Sequence, residues 1–384
     1  MPNNPEKSSV KEVAIIEIYS HHIFAQTIAH CLLQEGYSVN LYVTDIIDRQ
    51  GLGKIIDHGN PNLNYVVSQS GESDISFLRR IKPEIDAKDL LIINSVQGYR
   101  ILFFYLIKFK IPTIAAAGRI SEFFGLTYKL SGFSSIRNLL HHNFTKFFLP
   151  RILKRFVGLI VHTDQAKELC LKHEYKKPIH IMPYALYIGS EKNYVDDGLN
   201  ILVTGSISER SRDYESLLKT FEYLWSKGKS NLNLTVLTFP KGIYGQKILQ
   251  VMKSLKSKNF PITYFESWID EEVYFDHSSK AHCIIAPIKQ GYYGKGELTS
   301  VHVEAIRIGL PAIYPYWYNP DPGIVSSSIH YNDFEELTQI LSNLSDEPSS
   351  VKKLIDAAER NSEHYRLETV AKSLEKFLNL NFPS

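Results

Sequence analysis

From residue 11 onward the chain alternates short apolar runs with helical patterns, and at residue 199 the alternation starts again. Residues 11–19 read as a buried strand, 23–35 as a helix closed by Gly36, and 38–44 as the next strand. Further apolar runs at 64–67, 90–94, 113–117 and 159–162 alternate with helical patterns at 74–81 and 165–173. A chain built this way is restricted to a parallel sheet covered by helices on both faces.

The second series opens with a strand at 199–205 and a helix at 213–225, whose Leu217, Leu218, Phe221 and Leu224 share one face. Strands at 232–239, 261–265, 283–287 and 312–315 follow, and helices at 350–361 and 367–378 close the chain. The expected fold class is therefore α/β, with two Rossmann-like doubly wound domains. The first spans 1–182, a hinge containing Pro183 and Gly189 spans 183–198, the second domain spans 199–360, and 361–384 is a terminal helical segment. Neither half opens on a Gly-x-Gly-x-x-Gly turn: Tyr19-Ser-His-His-Ile23 has no glycine to admit a pyrophosphate, which argues against a dinucleotide enzyme.

A length of 384 residues, 44% of them hydrophobic, suits two cores. The 43 basic and 41 acidic residues nearly cancel, so nothing indicates nucleic-acid binding and any electrostatic message is local. Cys31, Cys170 and Cys283 lie far apart in apolar patterns, which points to a reducing compartment and not to a disulfide framework or zinc site. The polar first ten residues are unlike a signal peptide, and Lys108, Lys110 and Pro112 interrupt the most apolar stretch, so a cytoplasmic location is expected.

The most informative local feature is the run from Tyr292 to Pro311. A Gly-rich turn containing Lys295 and Glu297 leads into a short amphipathic helix that carries Glu304 in its second turn and is stopped by Gly309 and Pro311. The amides of Thr299, Ser300 and Val301 are expected to be free, where the helix dipole favours an anion such as a diphosphate. After the strand ending at Gly205, the loop Ser206-Ile-Ser-Glu-Arg-Ser-Arg-Asp213 supplies Arg210 and Arg212, whose forked donors suit the same group. Such a loop lies at the ligand-binding edge of a doubly wound sheet.

In the first half, His21 and His22 follow the opening strand, and Glu122 with Arg119 follows a later one. His21, His22 and Glu122 are candidates for the base that takes a hydroxyl proton in an inverting transfer. His162 and Asp164 close another strand. Residues 99–156 hold ten basic residues against the single acid Glu122. Within them Lys146, Arg151, Lys154 and Arg155 alternate with aromatic residues as in a segment lying on an anionic membrane surface. The competing reading is a core with a solvated cationic face.

The run 286–312 resembles the nucleotide-sugar signature of GT-B glycosyltransferases, most of all the family 4 group. The matching positions are Pro287, Gly294, Glu304, Ala305, Gly309, Pro311 and, just beyond the run, Ile313. Family members carry two glutamates eight apart, whereas here Gly296 stands eight before Glu304 and Glu297 is displaced by one. The resemblance implies two domains facing a central cleft, with the donor held by the second through Gly205, Arg210, Arg212, Lys295, Glu297, Thr299, Ser300, Val301 and Glu304. It implies transfer from a nucleotide diphosphate sugar, a UDP-sugar being favoured, to a glycan or lipid-linked hydroxyl acceptor, with no cofactor and no metal. A GT-B nucleotide-sugar epimerase and a catalytically inactive GT-B partner subunit are the alternatives.

Overall fold

The computed structural model describes residues 11–19, 21–94, 101–118, 120, 147–148, 151–189, 198–293, 296–318 and 321–382. Contacts divide the chain into two units. The first comprises the chain up to Leu186 together with Gly294–Glu297 and Leu367–Ser384; the second comprises Tyr187–Tyr293 and Leu298–Arg366.

The first unit holds a seven-stranded sheet of β1 (Glu12–Glu17), β2 (Ser38–Val43), β3 (Leu63–Val67), β4 (Leu90–Asn94), β5 (Thr113–Ala116), β6 (Gly158–Val161) and β7 (Ile179–Ile181). Its order is β3-β2-β1-β4-β5-β6-β7, and every pairing is parallel. Both faces are covered, which is why β1 reads as a continuous apolar run: Val13 and Ile15 enter one apolar cluster while Ala14 and Ile16 enter the other. The terminal helix Leu367–Asn381 belongs to this unit, where Val370, Ala371, Leu374, Phe377 and Leu378 pack in the same cluster as Phe24 and Ile28.

The second unit holds β8 (Leu199–Thr204), β9 (Leu232–Leu237), β10 (Ile262–Tyr264), β11 (Cys283–Ile285), β12 (Ala312–Pro315) and β13 (Ser328–Tyr331). The order is β10-β9-β8-β11-β12-β13, again parallel throughout. Ile201 and Val203 face one core and Leu202 the other.

The structure adds elements beyond those expected. These include strands β7 and β13 and the helices Gly242–Ser257, Glu271–Ser279 and Phe334–Asp346. The helix expected at 74–81 runs through Pro83 to Ile85, because Ile81 and Ile85 are both buried and hold the last turn against the core.

Candidate functional site

In the second unit the strand order reverses between β8 and β11, so the loops leaving these two neighbours diverge and open a crevice at the carboxyl ends of the strands. The loops are stitched together. Arg212 forms an antiparallel bridge with Ile288, the Asp213 amide donates to Pro287 O at 2.7 Å, and the Lys289 amide donates to Ser211 O at 3.0 Å. Asp213 also accepts from the Ser216 amide and starts the helix Tyr214–Ser226, which fixes the end of the first loop.

This stitching turns Arg212 inward. Its side chain is 1% exposed, the largest fully buried one among the described residues, and Nη2 donates to Ser300 Oγ at 3.0 Å. Nε and Nη1 are buried without a hydrogen-bond partner among the described residues. Burial pushes the hydroxyls of Tyr214, Tyr314, Tyr318 and Tyr331 well above their usual pKa, and the Arg212 charge pulls back on each, so the cation sits among neutral phenols. A buried guanidinium that lacks a carboxylate is costly unless an anion meets it.

Ser300 opens the helix Ser300–Ile308, which ends on Gly309 in the left-handed region, as its sequence implies. Thr299 caps it by accepting from the His302 amide at 3.2 Å. The expectation of three free amides is corrected here: the Thr299 amide donates to the Tyr318 hydroxyl at 3.2 Å, because a cap residue is extended and its N–H leaves the helix axis. Ser300 and Val301 remain as first-turn amides with no acceptor inside the helix. Gly205 stands beside them, and a Cβ there would lie 2.4 Å from Ser300 Oγ and 2.7 Å from Arg212 Nη2.

Glu304 is 8% exposed and both its carboxylate oxygens lie 3.4 Å from Arg307 Nη1, while burial, and after it the Glu304 charge, raise the Tyr274 hydroxyl well above its usual pKa. Arg210 is exposed and lies over the Tyr292 ring at 5.3 Å. Glu297 is buried in the short segment that groups with the first unit, where the amide of Gly296 donates to Gln165 Oε1 at 3.2 Å and its carbonyl accepts from Thr163 Oγ1 at 3.3 Å. Lys295 lies outside the described residues.

In the first unit the loop after β1 is held by a buried carboxylate. Glu17 accepts from the Tyr19 amide and from Asn94 Nδ2, both at 2.5 Å, and Asn94 Nδ2 also donates to His21 O at 3.1 Å. His21 Nδ1 lies 2.5 Å from the Tyr184 hydroxyl. His22 is the half-buried first residue of the helix His22–Gln34. His162, at the end of β6, has Nδ1 3.1 Å from Met182 O. Glu122, Arg119 and Lys146 lie outside the described residues. Of the basic segment, Ile152 and Phe156 belong to the core, while Arg151, Lys154 and Arg155 are exposed. Arg151 lies over Phe147 at 3.8 Å, and Arg155 donates to Tyr105 O at 2.8 Å.

Sequence reasoning found Arg212 as a residue type but missed its burial, and it missed Tyr184, Tyr314 and Tyr318 altogether. These tyrosines sit in ordinary apolar patterns that give no local signal.

Burial pushes the imidazoles of His162 and His180 down to about 4. Below about pH 6.5 the unfolded chain protonates both while the fold keeps them neutral, so stability is full above that pH and falls as the pH drops towards 4. Two such groups give a slope of up to about 2.7 kcal/mol per pH unit. His180 stacks on Phe377 at 4.9 Å, so His180→Phe is expected to make the loss in urea melts between pH 7 and pH 5 smaller than in the parent. An equal loss in variant and parent would contradict this.

Two doubly wound parallel sheets in one chain are the GT-B architecture of glycosyltransferases, and solved structures of that class share this fold. Sucrose-phosphate synthase from Thermosynechococcus elongatus aligns over 97% of this chain and 99% of its own, with a TM-score of 0.66 and 14% identity. The pneumococcal O-GlcNAc transferase GtfA, solved with UDP and GlcNAc, aligns over 97% and 99%, with a TM-score of 0.66 and 9% identity. UDP-GlcNAc 2-epimerase from Neisseria meningitidis, bound to UDP-GlcNAc, aligns over 96% and 99%, with a TM-score of 0.60 and 12% identity. No family model matches the chain. No curated protein matches it by sequence. Among the described residues no helix is long and apolar enough to cross a membrane, and no group of three or more His, Cys, Asp or Glu is placed to hold a metal ion.

Proposed function

We propose that this protein transfers a sugar from a nucleotide diphosphate sugar, a UDP-sugar first among them, to a hydroxyl acceptor in polysaccharide, glycolipid or glycoprotein assembly. The observation that carries the reading is the buried Arg212, whose Nε and Nη1 have no partner among the described residues, beside the first-turn amides of Ser300 and Val301. Guanidinium and amide donors together match a diphosphate, and they stabilise it as the leaving group when the anomeric C–O bond breaks. Glu304, one turn further along the helix, supplies a carboxylate for donor hydroxyls, and Arg210 an outer positive charge. The choice of UDP is supported by the fold neighbours solved with UDP or a UDP-sugar.

A thermal-shift panel of UDP, GDP, CMP and ADP sugars tests the reading. A ligand present at a hundred times its Kd adds about 2.7 kcal/mol to folded-state stability, so a UDP-sugar is expected to raise Tm by several degrees. No shift with any diphosphate nucleotide would overturn the proposal. The epimerase neighbour shows that this fold also hosts isomerisation of the donor. Incubating labelled donor without acceptor separates the two activities, because only an epimerase returns an altered nucleotide sugar.

A further inference from the structure

The amino edge of the first sheet carries a surface that the crevice of the second unit does not use. In a parallel sheet each crossover returns the chain to the edge where the next strand starts, so the segments before β5, β6 and β7 end side by side. The Val157 amide donates to Thr113 O at 2.8 Å and the Leu159 amide to Pro178 O at 2.9 Å, which sets the three starts level. Side chains tie the segments together. Arg155 lies over the Tyr105 ring at 4.9 Å, Tyr105 packs on Phe148 at 4.8 Å, and Lys177 Nζ donates to Lys154 O at 2.8 Å and to Phe156 O at 2.6 Å. The terminal helix arrives at the same edge: a Cβ at Gly158, the first residue of β6, would lie 3.1 Å from the Phe382 ring.

Two properties coincide there. Residues 106–112, 151–157, 171–178 and 376–382 hold nine basic residues against the single acid Glu174. Lys108, Lys110, Arg151, Lys154, Lys172 and Lys176 are exposed, and none forms an ion pair with a described residue. Four of the six exposed large hydrophobic side chains described in the first unit, Leu106, Phe147, Leu171 and Leu380, stand in or beside the same segments, each more than half exposed. The other two, Tyr19 and Ile46, follow β1 and β2 at the opposite edge. Packing into the core accounts for Ile152 and Phe156 but not for these four.

We propose that this face is a docking surface for an anionic phospholipid bilayer, with the four apolar side chains entering the interface and the surrounding cations meeting lipid phosphates. Charge complementarity selects the partner, and the apolar tips separate a bilayer from a soluble polyanion, which offers nothing for leucine and phenylalanine to enter. Arg151 over Phe147 at 3.8 Å holds a cation and an apolar ring as one unit suited to the boundary between headgroups and acyl chains. Because the face lies at the end of the sheet opposite His21 and His162, attachment does not cover the carboxyl edge of the first unit. Attachment of this kind goes beyond sugar transfer and does not depend on it.

Flotation of the full chain with vesicles tests the surface. Vesicles of about one-third phosphatidylglycerol in phosphatidylcholine should carry the protein at low salt, and phosphatidylcholine alone should not. Salt at about 1 M, which cuts the screening length to about 3 Å, should release most of it. Each cation near the bilayer is worth about fivefold in partitioning, so Lys154→Gln with Lys176→Gln should weaken binding about 25-fold. Leu171→Ser with Leu380→Ser should weaken it at least ~10-fold at unchanged net charge, with Tm near that of the parent because both side chains are exposed. No flotation with anionic vesicles, or full binding in the leucine variant, would overturn the proposal. Capture by single-stranded RNA in place of vesicles would overturn it too, by assigning the face to a soluble polyanion. Failure of UDP to bind would instead remove the transferase reading and leave the flotation result standing.

Discussion

Arg212→Met is expected to weaken UDP binding at least ~100-fold while leaving the unliganded protein as stable as the parent or more so. Charge-assisted hydrogen bonds contribute about 1.5–3 kcal/mol each, and Nε and Nη1 offer two of them to an incoming phosphate. Every 1.4 kcal/mol is about tenfold in Kd, so losing both exceeds ~100-fold. The stability change has the opposite sign because the guanidinium is 1% exposed and paired with no carboxylate among the described residues. Replacing a buried ion with an apolar side chain of similar length is neutral or stabilising by about 1–4 kcal/mol. Calorimetric titration with UDP, together with melts of the unliganded variant, reads both quantities. Unchanged affinity, or a Tm drop of the size seen for core truncations, would show that Arg212 is a structural residue.

Gly205→Ala should damage binding and stability together. The residue has φ of +86°, where an alanine costs about 1–2 kcal/mol, and its Cβ would lie 2.4 Å from Ser300 Oγ and 2.7 Å from Arg212 Nη2. The two side chains must part, which breaks the link that aims the guanidinium at the first turn of the helix. UDP affinity should fall by ~10–100-fold and unfolding free energy by about 1–3 kcal/mol. Because both substitutions act on one arrangement, the double variant should bind UDP no more weakly than Arg212→Met alone. Additive losses would mean that Gly205 acts on some other part of the protein.

Much of the fold was legible because a strand buried on both faces announces itself. Leu90–Asn94 and Ala312–Pro315 stand as their apolar runs predict. The Ser300–Ile308 helix was fixed by Gly309 and Pro311, whose backbone preferences are local. Strand β13, Ser328–Tyr331, carries no such run: it is an edge strand with only Tyr331 buried, so half its side chains are free to be polar. The helix Glu271–Ser279 has little apolar asymmetry and gave no periodic signal.

The candidate site was legible as residue types and not as environments. The sequence marks Arg212 as a donor suited to a diphosphate but not as a buried one, and what buries it is the closing of its loop onto Ile288 and the tyrosines of distant segments. The His21 and Tyr184 pair is 163 residues apart in sequence, beyond the reach of any periodicity.

We propose that Arg212 Nε and Nη1, which have no partner among the described residues, hold the donor diphosphate together with the first turn of the Ser300 helix. A crystal structure with UDP is the most direct measurement. Diphosphate oxygens are expected about 2.7–3.0 Å from Arg212 Nε or Nη1 and from the amides of Ser300 and Val301. UDP bound elsewhere, with Arg212 still buried and untouched by phosphate, would contradict it.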